Sequence, residues 1–122
     1  MASQIAKVSF LAIVVSGSVI AQDINKRYSP LEYFKNYALS TCIADGYKSD
    51  EVIKDSSAAA RGYLELGSLP LEAHTKATLL GRKYLQKEYK SISGEPLTLM
   101  KCIDFYHSED LDRLAKKYRN KR

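Results

Sequence analysis

Two cysteines are the residues of this chain with the most specific chemistry, because they can form a disulfide bond. Cys42 lies in the apolar stretch 37–47, and Cys102 lies in the apolar stretch 97–106. Two cysteines allow one intramolecular pairing, which is expected in an oxidising compartment. In the cytosol they would instead stay reduced as two buried free thiols. A lone cysteine pair without nearby histidines lacks the four ligands of a usual zinc site, so no metal is expected.

The two histidines, His74 and His107, are the other candidates for chemistry. His74 lies in a predicted helix with no aligned carboxylate or cysteine, and His107 lies at a helix junction. We interpret each as an ordinary surface or capping residue. The sequence contains no His-Glu-x-x-His, Gly-x-Ser-x-Gly, P-loop or Cys-x-x-Cys-His motif. We therefore predict no catalytic residue and no cofactor, and an enzyme is the disfavoured class.

The N-terminal residues determine the compartment. Lys7 precedes the uncharged run 8–20, and Val19 and Ala21 are small residues at positions −3 and −1 of a cleavage site before Gln22. This pattern is typical of a secretory signal peptide. A membrane anchor is the alternative, but a span needs about 20 apolar residues, and this run is shorter and is interrupted by Ser-Gly-Ser at 16–18. We predict a cleaved signal peptide at 1–21, one domain at 22–122, and no stable membrane insertion after cleavage.

Charge is distributed unevenly along the mature chain. Residues 22–112 hold 12 basic and 14 acidic residues, whereas residues 113–122 hold six basic residues and no acidic one. The body is thus close to neutral, although the formal net charge of the whole chain is +5. A basic segment at a helix end complements the negative end of the helix dipole, and we favour that interpretation. Binding to nucleic acid or anionic lipid is the alternative.

Apolar periodicity and capping residues predict an all-α domain, a compact bundle of about five helices. The boundary signals are Ser29-Pro30 and Gly46 for the first helix, Ser49 and Gly67 for the second, Leu69-Pro70 for the third, and Ser108 for the fifth. The first helix is apolar on nearly every side, so we expect it to be central. A Cys42–Cys102 bond would join it to the fourth helix.

Small residues and apolar stripes predict how the other helices pack. The run 56–60 and Gly62 in the second helix indicate a close neighbour, and Gly81 indicates the same for the third helix. The fourth helix is expected to bury one side, formed by Leu99, Cys102, Ile103 and Tyr106. The fifth is expected to bury Leu111, Leu114, Ala115 and Tyr118, with acidic residues first and basic residues last.

The periodicity fails between Glu88 and Pro96, which predicts one long exposed loop. This segment contains turn-forming residues and an isoleucine, Ile92, with no obvious packing partner. The chain has nine tyrosines and no tryptophan, and tyrosine is enriched at protein interfaces. Most of the tyrosines are interpreted as core residues with hydroxyls that reach the surface. Tyr89, in the loop, is the best interface candidate.

Three segments together carry a resemblance to a known family: Tyr33-Phe-Lys-Asn-Tyr-Ala-Leu-Ser-Thr-Cys-Ile-Ala44, Ala58-Ala-Ala-Arg-Gly-Tyr-Leu-Glu-Leu-Gly67 and Leu97-Thr-Leu-Met-Lys-Cys-Ile-Asp-Phe-Tyr-His107. The chain resembles the immunity proteins that neutralise the family 4 peptidoglycan amidase effectors of the type VI secretion system. The match runs from about residue 33 to residue 118, in order and with both cysteines. It covers nearly the whole mature domain.

The resemblance implies a periplasmic, all-helical homodimer that binds a cognate amidase effector. Such effectors resemble papain-type Cys-His hydrolases and cut peptidoglycan stem peptides between D-glutamate and diaminopimelate. A loop of one subunit is expected to enter the amidase cleft, while a helix of the other subunit contacts its flank. Inhibition would be steric. A dimer is also physically reasonable, because a first helix that is apolar on all sides is difficult to cover within so short a domain.

We assign the inserted loop to the longest aperiodic stretch of the sequence, which is Tyr89, Lys90, Ser91, Ile92, Ser93, Gly94 and Glu95. The turns at 46–49 and 67–70 are the competing assignments. Two other classes of function stay open: a periplasmic binding or adaptor module that is indifferent to this loop, and a small hydrolase that depends on His74 or His107.

Overall fold

Five α-helices and no β-strand form residues 27–121, the part of the chain that this computed structural model describes together with residues 9 and 12. In order they are α1 Pro30–Gly46, α2 Asp50–Leu66, α3 Leu71–Leu85, α4 Thr98–Tyr106 and α5 Glu109–Arg119. None of the five is long and apolar enough to cross a bilayer. The all-α prediction is confirmed. The predicted signal peptide at 1–21 lies outside the described residues, apart from residues 9 and 12.

Helix α1 lies at the centre of the bundle, because it packs against each of the other four helices. A capping box fixes its start: the Ser29 hydroxyl accepts a 3.2 Å bond from the Glu32 amide, and the Glu32 carboxylate accepts a 2.7 Å bond from the Ser29 amide. This bond from the Ser29 backbone is the main reason that the pKa of Glu32 is lowered. The predicted central helix and its start are confirmed.

A disulfide bond joins Cys42 of α1 to Cys102 of α4, with their Cα atoms 5.7 Å apart. Both residues are buried, and the described residues contain no free cysteine. The predicted disulfide is confirmed, and the free-thiol alternative is excluded. The bond joins residues that are 60 positions apart in the chain, so it lowers the conformational entropy of the unfolded state. In the chain-entropy model this stabilises the folded state by about 4 kcal/mol.

Helix α2 packs mainly on α1 and is less covered than we expected. The Ser49 hydroxyl caps its start with a 3.5 Å bond from the Val52 amide, as predicted. Ser56 and Ala60 are its buried residues. A Cβ atom added at Gly62 would have no neighbour within 4 Å. The prediction that small residues of this helix lie against a close neighbour is therefore confirmed for Ser56 and Ala60, which are buried. It is wrong for Gly62, which has no such neighbour.

Helix α3 packs closely against α4 at the glycine where the sequence predicted it. A Cβ atom at Gly81 would lie 3.0 Å from the Phe105 ring. Gly46, predicted only as a helix end, has a second role of the same kind. A Cβ atom there would lie 2.5 Å from Thr98 Cγ2 and 2.8 Å from Leu85 Cδ2. Both glycines therefore let helices approach α4.

The buried side of α4 differs from the predicted one. Cys102 and Phe105 are its buried residues, whereas Leu99 and Ile103 are 49% and 42% exposed. The prediction that Leu99 and Ile103 share the buried side with Cys102 is wrong. The physical reason is that α4 is apolar on two sides, and only the side that carries the disulfide and Phe105 faces α1 and α3.

Helix α5 agrees with its prediction. Leu111, Ala115 and Tyr118 are buried, and Leu114 packs against the core. The Ser108 hydroxyl accepts a 3.1 Å bond from the Leu111 amide. Acidic residues fill the first turn of the helix and basic residues fill the last one, which is the order that stabilises the helix dipole.

Candidate partner-binding surface

The α3–α4 loop, residues 86–97, is the longest connection between the described helices. The connections at 47–49 and 67–70 are much shorter. We call residues 89–95 the binding loop: Tyr89, Lys90, Ser91, Ile92, Ser93, Gly94 and Glu95. Tyr89 and Ser91 are half-buried and the other five residues are exposed. The exposed loop of the prediction is thus present, while its role in binding stays a prediction.

A hydrogen-bonded turn forms the tip of the binding loop. The Gly94 amide donates a 3.4 Å bond to the Ser91 carbonyl oxygen. Gly94 has a φ of +84°, a left-handed conformation that favours glycine. The turn places Ile92 at the tip, where it is fully exposed, with a relative accessibility of 110%.

One carboxylate, that of Glu95, closes this turn. The Ser91 hydroxyl donates a 2.8 Å bond to Glu95 Oε2, and the Ser93 hydroxyl donates to the same oxygen. The bond from Ser93, followed by the one from Ser91, lowers the pKa of Glu95. The carboxylate is therefore charged at neutral pH and keeps both hydroxyls turned toward it.

Two contacts with α4 hold the start of the loop. The Tyr89 hydroxyl donates a 2.5 Å hydrogen bond to Asp104 Oδ2, and this bond is the main reason that the pKa of Tyr89 is raised. Lys101 Nζ donates a 3.3 Å bond to the Leu85 carbonyl oxygen and lies 5.8 Å from the centre of the Tyr89 ring. The position of the loop therefore depends on α4.

An apolar groove of about 650 Å³ adjoins the loop. It is lined by Tyr47, Glu95, Pro96, Leu97, Thr98, Leu99, Met100 and Ile103. We call Leu99, Met100 and Ile103 the apolar patch, since about half of each side chain is exposed. Glu95 belongs to both the loop and the groove, so the two form one continuous surface. The sequence interpretation missed this patch, because it assigned Leu99 and Ile103 to the core.

The two competing turns are less available than the loop. Tyr47 and Gly46 pack toward the start of α4, and Gly67 lies next to Tyr63 and Tyr33. Their exposed residues are Lys48, Ser49, Ser68 and Pro70. Because each turn is short and packed at its base, neither can protrude as far as residues 89–95.

The two histidines have different environments. His74 is only 1% exposed, so its predicted surface position is wrong. Its Nδ1 atom lies 3.0 Å from the Pro70 carbonyl oxygen, and its ring contacts Phe34 and Tyr37. Burial lowers the pKa of His74. His107 is exposed and follows the last residue of α4, as predicted.

Within the described residues, no group of three or more acidic, histidine or cysteine side chains has the geometry to hold a metal ion. The surface composed of the loop and the apolar groove is instead suited to contact another protein.

Residues 32–115 match the family model Tai4, described as "Type VI secretion system (T6SS), amidase immunity protein". The chain is similar to the solved structure of the effector–immunity system Tae4/Tai4 from Salmonella typhimurium. Sequence identity is 37% and the TM-score is 0.72, over 77% of this chain and 93% of that chain. No significant match is found among curated protein sequences.

Two further structures share this fold. One is the effector Tae4 from Salmonella typhimurium in complex with the immunity Tai4 from Enterobacter cloacae, with 25% identity and a TM-score of 0.69, over 76% of this chain and 95% of that chain. The other is the type VI effector–immunity complex Tae4–Tai4 from Enterobacter cloacae, with 24% identity and a TM-score of 0.68, over 73% of this chain and 91% of that chain.

Proposed function

Because this chain belongs to the family of type VI secretion system amidase immunity proteins, we propose that it binds a cognate amidase effector and blocks the effector's active-site cleft with residues 89–95. A protein of this family opposes an amidase and is not itself the enzyme. This agrees with the prediction of a non-catalytic chain.

The observation that best supports this assignment is the exposed binding loop beside the apolar patch. The loop has a narrow tip formed by the Ser91–Gly94 turn, and a narrow protrusion can enter a cleft. The patch offers the apolar contact area that stabilises a protein–protein interface around such an insertion. A polar turn flanked by apolar surface therefore fits an enzyme cleft and its rim.

Inhibition by this loop would be steric. The substrate of the amidase is a peptide stem of peptidoglycan, which has to lie in the cleft to be cut. A Ser/Gly-containing turn that occupies the same cleft excludes the stem without reacting. The hydroxyls of Ser91 and Ser93 donate to the Glu95 carboxylate, and in this proposal they close the turn and take no part in a reaction.

The proposed site of action is the periplasm, reached through a signal peptide cleaved after residue 21. The basic and apolar pattern of the N-terminus and the buried disulfide both support export to an oxidising space. Mass spectrometry of protein from a periplasmic extract tests this. We expect a mature chain that begins at Gln22, and an intact N-terminus on the periplasmic protein would contradict cleavage.

A protection assay tests the function. Cells that export the cognate amidase effector to the periplasm are expected to lyse, and co-expression of the full chain is expected to prevent lysis. Purified mature chain should bind the effector with a Kd in the nanomolar range or lower. Continued lysis together with no measurable binding would overturn the proposed function.

The loop assignment is tested by replacing residues 89–95 with a Gly-Ser segment of equal length. We expect a large loss of affinity with an unchanged helical circular dichroism spectrum. Lys48→Ala and Ser68→Ala, at the two competing turns, serve as controls and should leave affinity within about twofold of wild type. A strong effect of either control, with a tolerated loop replacement, would move the inhibitory segment to that turn.

We also propose that the protein is a homodimer, as the resemblance implies. The apolar surface of α1 does not require a second subunit, because the other four helices of the same chain pack against it. Support comes instead from α3, where Leu71 and Leu79 are 69% and 52% exposed. With Thr75 they form one exposed row at four-residue spacing.

Sedimentation equilibrium tests the homodimer with the mature chain. Wild type is expected to have twice the mass of the chain, and Leu79→Lys is expected to shift the equilibrium toward monomer. A wild-type mass equal to one chain would contradict the dimer.

A further inference from the structure

We infer that Ile92 is the residue that anchors this protein in an apolar pocket of its partner's cleft, and that Glu95 is the positioning residue that holds Ile92 at the tip of the loop. The inference rests on the proposed function, because it assigns roles within the binding loop.

Ile92 contributes to neither the core nor the turn of this protein. It is fully exposed, whereas the other exposed large apolar side chains within the described residues retain partial cover. β-Branched residues are also poor turn formers in comparison with Gly, Pro, Asn, Asp and Ser. An isoleucine at the centre of a hydrogen-bonded turn is therefore best explained by contact with a second molecule.

The chemistry of Ile92 specifies the surface that receives it. Its side chain has no hydrogen-bonding group, so its burial is favourable only against apolar atoms. The polar groups around it, the hydroxyls of Ser91 and Ser93, are turned back to Glu95. The partner pocket must therefore be apolar where it receives Ile92.

Glu95 limits the conformations of the residues on both sides of Ile92. Its Oε2 atom accepts from Ser91, which precedes Ile92, and from Ser93, which follows it. The same four residues are closed by the bond between Gly94 and Ser91. Order that exists before binding does not have to be created on binding, so it increases affinity without a new contact.

The Glu95 side chain also connects the tip to the apolar groove, which it lines together with Pro96 and Leu97. Glu95 thus lies where the turn meets the groove beside α4. Loss of Glu95 is expected to leave the helices intact and to release Ile92 only.

A double-mutant cycle measured by affinity for the cognate amidase effector tests both roles. Ile92→Ala is expected to weaken binding by at least about 10-fold, as for an interface hot spot. Glu95→Ala is expected to weaken it by about 5- to 10-fold. The double variant is expected to bind within about twofold of Ile92→Ala. Glu95 acts on affinity through the Ile92 side chain, so its removal has little effect once that side chain is absent.

Two conservative changes control for charge. Glu95→Gln retains a carbonyl acceptor for both serines, so we expect it to recover most of the affinity that Glu95→Ala loses. Glu88→Gln removes the same charge from an exposed side chain that makes no hydrogen bond or ion pair within the described residues. It should bind like wild type. Each variant is checked for an unchanged melting temperature.

The outcomes separate this inference from the proposed function. If wild type binds the effector but Ile92→Ala changes affinity by less than twofold, the anchor is wrong and the proposed function stands. Two results would refute the positioning role of Glu95. One is a double variant whose loss of affinity equals the product of the two single losses. The other is a Glu95→Gln variant that loses as much affinity as Glu95→Ala. If wild type does not bind the effector at all, both the function and the inference fail.

Discussion

The hydroxyl of Tyr89 and the carboxylate of Asp104 lie 2.5 Å apart, and their hydrogen bond ties the first residue of the binding loop to the last turn of α4. Asp104 is two residues from Cys102, which the disulfide fixes to α1. The loop is therefore connected to the central helix through α4.

Removal of the Tyr89 hydroxyl is expected to loosen the loop without unfolding the domain. Tyr89→Phe should accelerate hydrogen exchange of the loop amides and weaken effector binding by about 3- to 10-fold. Asp104→Asn retains an acceptor and should have a smaller effect. Tyr106→Phe is the control, since the Tyr106 hydroxyl has no hydrogen-bond partner within the described residues. Equal effects of Tyr89→Phe and Tyr106→Phe would exclude a specific role for this bond.

Loss of the disulfide is expected to lower stability strongly, because the bond closes 60 residues. The double variant Cys42→Ala, Cys102→Ala should lose about 2–4 kcal/mol of unfolding free energy, measured by urea denaturation. Wild type in reductant should behave like the variant, and reductant should not change the variant further. A loss below about 1 kcal/mol would show that packing alone holds α4 on α1.

Two glycines are expected to respond in opposite ways to alanine. At Gly46 the added Cβ atom would collide with Thr98 and Leu85, so Gly46→Ala should destabilise the fold by about 1–3 kcal/mol. At Gly62 the added Cβ atom meets nothing within 4 Å. Gly62→Ala should therefore stabilise by about 0.5–1 kcal/mol through helix propensity. Urea denaturation of both variants provides the measurement, and the same sign of change at both positions would contradict this account.

Helix starts were predictable from the sequence because their causes are local. Ser29, Ser49 and Ser108 each accept a bond from the amide three residues later. The same is true of the loop, where periodicity ends within a few residues. In each case the residues that determine the structure are neighbours in the chain.

Burial that depends on distant contacts was not predictable. His74 is buried because Phe34 and Tyr37 contact it from α1, and nothing near residue 74 indicates this. In α4, both Leu99 and Phe105 could equally have faced the core, because periodicity in a nine-residue helix does not distinguish two apolar sides. The apolar patch was missed for that reason.

The internal order of the binding loop had a local signal that the sequence interpretation did not use. Ser91, Ser93 and Glu95 alternate, and this spacing allows one carboxylate to accept from both hydroxyls in a turn. Short side-chain bonds of this kind compete with regular structure and favour turns. The effector contact itself has no such local signal, since it depends on a second molecule.

Stability is expected to fall as the pH decreases below about 6.5, because His74 is buried in its neutral form. Burial lowers the pKa of His74 from its ordinary value of 6.5. Between the two pKa values the unfolded chain binds a proton that the folded chain does not, so acid favours unfolding. The stabilisation is complete above pH 6.5 and is lost as the pH falls toward the folded-state pKa, by up to about 1.4 kcal/mol per pH unit.

Urea denaturation at pH 7.5 and pH 5.5 measures this effect, with His74→Phe as the control that keeps an aromatic ring and removes the titration. Glu32, Glu72, Glu95 and Asp110 have lowered pKa values, so they titrate below this range. Wild type should lose more stability than His74→Phe between the two pH values. If both lose the same amount, the titrating group lies elsewhere and His74 is protonated equally in the folded and unfolded chain.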